Sequence, residues 1–181
     1  MLHEIENLLQ RLESPTQIKE RHDALHLGLL LESHSRPPQK AIDPDSEVLS
    51  THLQSIVLSR DDQLEIVDRV SALLLHSDNA GRATLFWILS KAAPEIAFGP
   101  LVRVLGTVAE SLDTEASYQA LLALDSHIFH DYDGSLLLTH AKVLRENDIA
   151  GFLDKLNSPM TAQRINTLQS NLDRIRQATT Q

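Results

Sequence analysis

The residues that could do chemistry are concentrated between positions 125 and 134, where two histidines and three carboxylates occur within ten residues. The imidazoles of His127 and His130 and the carboxylates of Asp131 and Asp133 are ligand types that hold divalent transition metals. The same residue types also suit a polar turn between two helices, where no metal is needed. We favour the polar turn; the alternative is a metal-dependent protein or enzyme that uses this cluster.

A second pair of histidines lies near the N-terminus, at His22 and His26. Residues four apart share one face of a helix. The segment His22-Asp23-Ala24-Leu25-His26 resembles the HExxH motif of zinc metalloproteases, with Asp23 at the position of the catalytic glutamate. A catalytic zinc needs three protein ligands, and no third ligand follows at the spacing of that family. We therefore interpret the pair as helix-surface residues beside the packing stripe.

Other catalytic signatures do not occur in the sequence. The chain has no cysteine, which excludes thiol nucleophiles, cysteine metal sites and disulfides. Glycine-rich phosphate loops and the GxSxG nucleophile motif are not found either. Paired acids such as Asp61 and Asp62 lie at a predicted helix start, where the positive end of the helix dipole accounts for them. We predict a protein without catalytic residues and without a cofactor.

The charge of the chain narrows the class of partner. The formal net charge is −9 with neutral histidines, and residues 43–157 hold 8 basic against 18 acidic side chains. Such a surface repels the phosphates of nucleic acids and of anionic membranes. No apolar run approaches the ~20 residues of a membrane helix, and the first residues lack the pattern of a secretory signal. We expect a cytoplasmic protein whose partner is another protein, not a nucleic acid or a membrane.

The elements that must position these residues are helices. Apolar residues recur at helical spacing along nearly the whole chain, and turn-forming and aromatic residues are too few for an all-β fold. A helical hairpin is predicted over residues 1–33, with its second helix starting near Pro15. Its first helix carries an apolar stripe at Leu2, Ile5, Leu8, Leu9 and Leu12. Residues 34–44 include two adjacent prolines and are predicted to be a linker.

A spacing of 35 residues separates four aspartates, each at or just before a predicted helix: Asp43, Asp78, Asp113 and Asp148. An aspartate at a helix start can accept hydrogen bonds from unpaired backbone amides. Each interval holds two helix-length stretches, at 45–58 and 62–76, at 80–92 and 95–112, and at 114–128 and 135–147. Two-helix units of this length bury their apolar faces by stacking. The spacing therefore predicts stacked helical hairpins over residues 43–157.

The segment from Asp78 to Leu89, Asp-Asn-Ala-Gly-Arg-Ala-Thr-Leu-Phe-Trp-Ile-Leu, resembles the first helix of a HEAT-like, armadillo-type repeat. In that family an aspartate opens the turn, an arginine (here Arg82) follows a few residues later, and alanines and leucines pack between units. The resemblance extends over about residues 43–148. It implies an α-α superhelix that binds other macromolecules, and it implies no activity. Together with the helical periodicity, it leads us to expect an all-α fold, an α-α superhelix of about eight helices. A HEAT-like protein that binds nucleic acid is a further alternative, which the acidic charge of residues 43–157 disfavours.

The last predicted helix lies within residues 158–181. Ser158 and Pro159 mark its start, since serine caps a helix and proline suits its first position. Its apolar stripe consists of Met160, Ile165, Leu168, Leu172 and Ile175. We expect this helix to close the open end of the stack, and the alternative is a helix that docks on a second chain.

Five large apolar residues follow one another at Leu85–Leu89 and include Trp87, the only tryptophan. Five consecutive helical residues point in all directions around the helix axis, so we expect the run to be buried all round. The alternative is that Trp87 is an exposed anchor for a partner, because tryptophan is favoured at interface hot spots.

The second helices of the units line the concave side of a stacked-repeat protein. We predict that a partner protein binds there, and that the few cations kept in the acidic body contribute to the contact. The predicted partner-binding residues are Arg69, Arg103, Thr107, Lys142 and Arg145.

Overall fold

A computed structural model describes residues 3–13, 22–35, 56–129, 140–143, 153 and 166–173. Six α-helices are delimited within them: α1 (His3–Leu12), α2 (His22–Ser35), α3 (Arg60–His76), α4 (Asn79–Lys91), α5 (Pro94–Val108) and α6 (Thr114–Phe129). A 3₁₀ turn at Ala109–Ser111 follows α5. Residues 140–143, 153 and 166–173 are helical as well, and these described ranges contain no strand. The prediction of an all-α fold is confirmed.

The described helices alternate along the chain between two layers. The even-numbered helices α2, α4 and α6 pack side by side with α4 in the middle, and α4 and α6 share the most extensive helix–helix contact among them. The odd-numbered helices α3 and α5 also pack together, and Arg69 of α3 joins α1 to them. Residues 140–143 extend this second layer, because the His140 ring stacks on Phe98 of α5 with 4.0 Å between centroids. We call the first group, α2, α4 and α6, the even layer. We call the second group, α1, α3, α5 and residues 140–143, the odd layer.

Local capping chemistry starts the three helices α3, α4 and α6. The Ser59 hydroxyl accepts a hydrogen bond from the amide of Asp62, whose carboxylate accepts one in return from the amide of Ser59. The Asp78 carboxylate accepts from the Gly81 amide at 2.9 Å, and the Asp113 carboxylate from the Ala116 amide at 2.9 Å. The predicted aspartates at helix starts are therefore confirmed at Asp78 and Asp113. Asp43 and Asp148 lie outside the described residues.

The helices from Arg60 to Phe129 agree closely with the stretches predicted at 62–76, 80–92, 95–112 and 114–128. The stretch predicted at 45–58 is wrong at its end, because residues 56–59 are not helical and Ser59 caps the next helix. Of the stretch predicted at 135–147, residues 140–143 are helical. The other residues of these two stretches lie outside the described ranges, as do residues 14–21, where the second helix was expected to start.

The start of the predicted linker at residue 34 is wrong, because α2 continues through Ser35. Side chains satisfy the last carbonyls of the helix: the His34 imidazole donates to the Leu30 carbonyl at 2.9 Å, and the Ser35 hydroxyl to the Leu31 carbonyl at 2.6 Å. The other ring nitrogen of His34 accepts from the Leu58 amide at 3.0 Å, which fixes the tautomer and ties α2 to the segment before α3. Residues 36–44 lie outside the described ranges.

A single apolar core connects the described helices. Its centre is α4, where Leu85, Phe86, Ile88 and Leu89 are each 0% exposed. Burying a large apolar side chain contributes about 1.5–3 kcal/mol, so each of these four side chains stabilises the fold by an amount of that order.

The two terminal regions join the same core. The stripe predicted in the first helix is buried at all four of its described members, Ile5, Leu8, Leu9 and Leu12. Leu168 and Leu172 of the predicted last helix are buried in this core too. The expectation that this helix closes the stack stays a prediction, since its start at Ser158 and Pro159 lies outside the described residues.

Candidate functional site

A half-open groove lies over α4 in the even layer. It encloses about 270 Å³ and is bounded by side chains of α2, α4 and α6. Its floor is formed by Ala83, Thr84 and Trp87 of α4. One wall is Ala24 and Leu25 of α2, and the other is Glu115 and Gln119 of α6. Three of the side chains that line the groove, Ala24, Ala83 and Thr84, are small, and they leave space beside the indole.

The indole of Trp87 is half-buried in this groove, unlike its four neighbours in the run Leu85–Leu89. The expectation that the whole run is buried is therefore wrong for Trp87. The reason is geometric: a run covering every direction around α4 must send one side chain outward, between α2 and α6, where the groove is.

The position of the indole is set by α2. A Cβ atom on Gly28 would lie 2.3 Å from a ring carbon of Trp87, so only glycine permits this approach. The Lys91 ammonium lies 5.4 Å from the centroid of the indole ring, within cation–π range. Lys91 also pairs with Glu32 of α2 at 3.0 Å, which offsets its charge. Trp87 is thus held at its edge by Gly28 and flanked by a neutralised cation.

The carboxylate of Glu115 gives the groove its charge. The side-chain amide of Gln119 donates to it at 3.2 Å, and that donor is neutral. No lysine or arginine of the described residues forms an ion pair with Glu115. The groove therefore combines an indole surface with a carboxylate at its rim that no cationic side chain of the described residues pairs with.

The predicted partner-binding residues of the odd layer are exposed at Arg103, Thr107 and Lys142. Arg103 and the segment 140–143 converge over Gly99, because a guanidinium nitrogen of Arg103 and a methyl carbon of Val143 each lie 3.7 Å from the position of a Cβ on that glycine. Arg145 lies outside the described residues.

Arg69, the remaining predicted partner-binding residue, is engaged within the chain. Its guanidinium forms an ion pair with Glu6 of α1 at 2.7 Å and another with Glu13. The hydrogen bonds to Glu13 and then to Glu6 raise the pKa of Arg69. A hydrogen bond from Gln10, and after it the pairing with Arg69, lowers the pKa of the Glu6 carboxyl. Through these contacts, Arg69 joins α3 to α1 and to Glu13 just after it.

The cluster at 125–134 is described only in part. His127 is 1% exposed, and its Nε2 lies 3.0 Å from the Leu89 carbonyl in α4. A carbonyl accepts, so Nε2 carries a hydrogen and donates it to Leu89. His127 is thus part of the packing between α4 and α6. His130, Asp131 and Asp133 lie outside the described residues.

The N-terminal histidine pair forms the one group of three potential metal ligands in the described part of the chain. Ligand atoms of His22, Asp23 and His26 all lie within 4.8 Å of one another, and the two imidazole rings meet edge to face at 4.2 Å. Both Asp23 oxygens, however, accept hydrogen bonds from Arg11, at 2.8 and 2.9 Å. The hydrogen bond to Asp23 raises the pKa of Arg11. The carboxylate therefore serves to join α1 to α2.

Comparison with protein-family models, with curated proteins and with solved structures finds no match to this chain. A search of the described helices for a membrane span likewise finds none that has the required length and apolar character.

Proposed function

We propose that this chain is a non-catalytic, HEAT-like helical-repeat module that binds another protein on its odd layer. The alternation of helices between two layers supports the repeat, as do the equivalent caps at Asp78 and Asp113. Arg82 supports it as well, since its guanidinium bonds the Leu74 carbonyl of α3 at 3.0 Å and the Ser111 hydroxyl after α5 at 2.8 Å. One arginine thus joins the ends of two consecutive odd helices.

The observation that carries the proposed binding surface is the convergence of Arg103 and the segment 140–143 over Gly99. It brings two exposed cations, Arg103 and Lys142, to one region of a protein whose net charge is −9. Arginine is favoured at interfaces because its planar fork matches carboxylates. We propose that this region, with Thr107, contacts acidic side chains of the partner.

Exposed apolar residues on the same layer add contact area. Leu64 and Leu75 of α3 are 36% and 39% exposed, and Val57 just before α3 is 78% exposed. They are the exposed large hydrophobic residues within the described ranges. Exposed apolar side chains of this kind can contribute to a protein–protein interface, whose centre is depleted in charge and whose rim is polar.

The test is quantitative affinity capture from the source cell with a matched pair of double variants. Arg103→Ser with Lys142→Ser removes the two cations, whereas Ala80→Glu with Thr114→Glu adds two acids to exposed positions of the even layer. Both double variants change the net charge by the same amount. We expect the first double variant to lose a set of proteins that both the wild type and the second double variant retain, with unchanged melting temperatures. Equal retention by both would contradict the proposed surface.

A further inference from the structure

We propose that the groove over Trp87 is a second binding site, on the even layer, for a basic segment of a partner protein. The segment would insert a lysine or arginine, next to a large apolar residue, between α2 and α6. This site is independent of the surface formed by Arg103 and Lys142.

The size of the groove fits side chains of a protein segment. Pockets that enclose small-molecule ligands hold about 300–1,000 Å³ and bury most of the ligand. This groove holds about 270 Å³ and is half open, so it has room for one or two side chains whose backbone stays outside. Tryptophan is the residue most enriched among interface hot spots, and here it forms the floor.

The rigidity of the groove favours binding. Holding a side chain in one geometry costs free energy when the side chain is ordered only at the moment of binding. Trp87 is already held, because Gly28 lies against its ring edge and Lys91 lies over the ring. The indole therefore needs little further ordering when a ligand arrives.

The charge of the groove selects the sign of the ligand. Glu115 contributes a carboxylate whose described contact is the neutral amide of Gln119, and the nearby Lys91 is offset by Glu32. A lysine or arginine can lay its methylenes on the indole while its charged end reaches Glu115. The net charge of −9 also attracts a basic segment over a longer range. An acidic segment would meet repulsion at both distances.

The first experiment selects peptides from a random linear library displayed on phage, with the full chain as target. We expect the enriched peptides to share a lysine or arginine adjacent to a large apolar residue. A synthetic peptide of the consensus, chosen without tryptophan, is then titrated while the emission of Trp87 is recorded. Because Trp87 is the only tryptophan of the chain, a saturable change in its emission reports binding at the groove.

The second experiment compares two charge reversals with the same peptide. Glu115→Lys changes the groove, whereas Glu95→Lys makes the same change in the first turn of α5, at another exposed glutamate. We expect Glu115→Lys to weaken binding by about tenfold or more, as for loss of one close charge contact, and Glu95→Lys to leave it within about twofold. Circular dichroism and melting curves establish that both variants are folded.

Three results would overturn the proposal: no enrichment of any peptide, enrichment of acidic or uncharged peptides, or equal loss of affinity in the two glutamate variants. The double variant Arg103→Ser with Lys142→Ser should still bind the peptide. Its binding separates this site from the proposed function, because a failure of the odd-layer surface leaves the groove intact.

Discussion

The joint between α4 and α6 and the joint between α1 and α3 are held together by different chemistry. The first lies in the even layer, where α4 and α6 share an extensive contact and α6 buries Ala120 and Ala123 in the apolar core. In the odd layer, α1 is joined to α3 at its edge by the ion pairs of Arg69 with Glu6 and Glu13. Apolar burial is not screened by salt, whereas ion pairs that solvent reaches contribute about 0–1 kcal/mol and are screened by salt.

The two layers differ in the kind of binding surface that they offer. The even layer has a groove over Trp87, whose lining includes the small side chains Ala24, Ala83 and Thr84; these fill less space than leucine would. The helices of the odd layer instead bury their apolar stripes in the core and expose charged and a few apolar side chains to solvent. One layer offers a cavity and the other a surface.

The contact between α4 and α6 is most directly broken at His127. His127→Ala removes a buried ring and one of the hydrogen bonds to the Leu89 carbonyl. We expect a loss of about 2–4 kcal/mol in the free energy of unfolding, since a cavity and a lost buried hydrogen bond both contribute. Urea unfolding measures it. His127→Gln, which keeps a donor, should recover part of the loss; a loss below ~1 kcal/mol in His127→Ala would contradict this role.

The contact between α2 and α4 is tested by a pair of glycine variants. Glycine to alanine inside a helix normally stabilises by about 0.5–1 kcal/mol. Gly28→Ala should instead destabilise by ~1–2 kcal/mol, because a Cβ at 2.3 Å from the Trp87 ring forces the indole aside and overpacking outweighs propensity. Gly106→Ala is the control, since a Cβ there meets nothing within 4 Å and should stabilise. Stabilisation in both variants would refute the close approach of α2 to Trp87.

The joint between α1 and α3 should show the smallest effect. Arg69→Gln should lower the free energy of unfolding by at most about 1 kcal/mol at low salt, and by less in 1 M salt. The lowered pKa of Glu6 gives the pH dependence: the pair stabilises above the usual glutamate pKa and loses this effect as the pH falls through the lowered value. Wild type and Arg69→Gln should therefore converge in acid. A difference that persists at high salt or at low pH would mean that Arg69 acts through packing.

Much of the fold could be predicted from the sequence because the signals are local. Asp78 and Asp113 cap their own helices, and the apolar period of α1 lies within ten residues. The orientation of Trp87 could not be predicted, because it depends on Gly28, which is far away in the sequence but adjacent in the fold. The pairing of Arg69 with α1 depends likewise on how two separate segments pack.

The sequence allowed an exposed Trp87 as an alternative, but the groove around it could not be predicted. A lone tryptophan in an apolar run is compatible with the core or with a partner site, and the choice depends on what covers it. Glu115 and Gln119 carried no signal of their own, because an acid in the first turn of a helix is explained by the helix dipole. Their meeting with Trp87 is a consequence of the packing of α6 on α4.

Helix α4 is the centre of the two-layer arrangement, in contact with α2, α3 and α6, while α1 lies at its edge. Native-state amide hydrogen exchange, followed residue by residue, measures this difference, because exchange from the most stable helix requires global unfolding. We expect the slowest exchange in α4 and α6, faster exchange in α1, and acceleration confined to α1 in Arg69→Gln. Protection of α1 equal to that of α4, or acceleration of α4 in that variant, would contradict it.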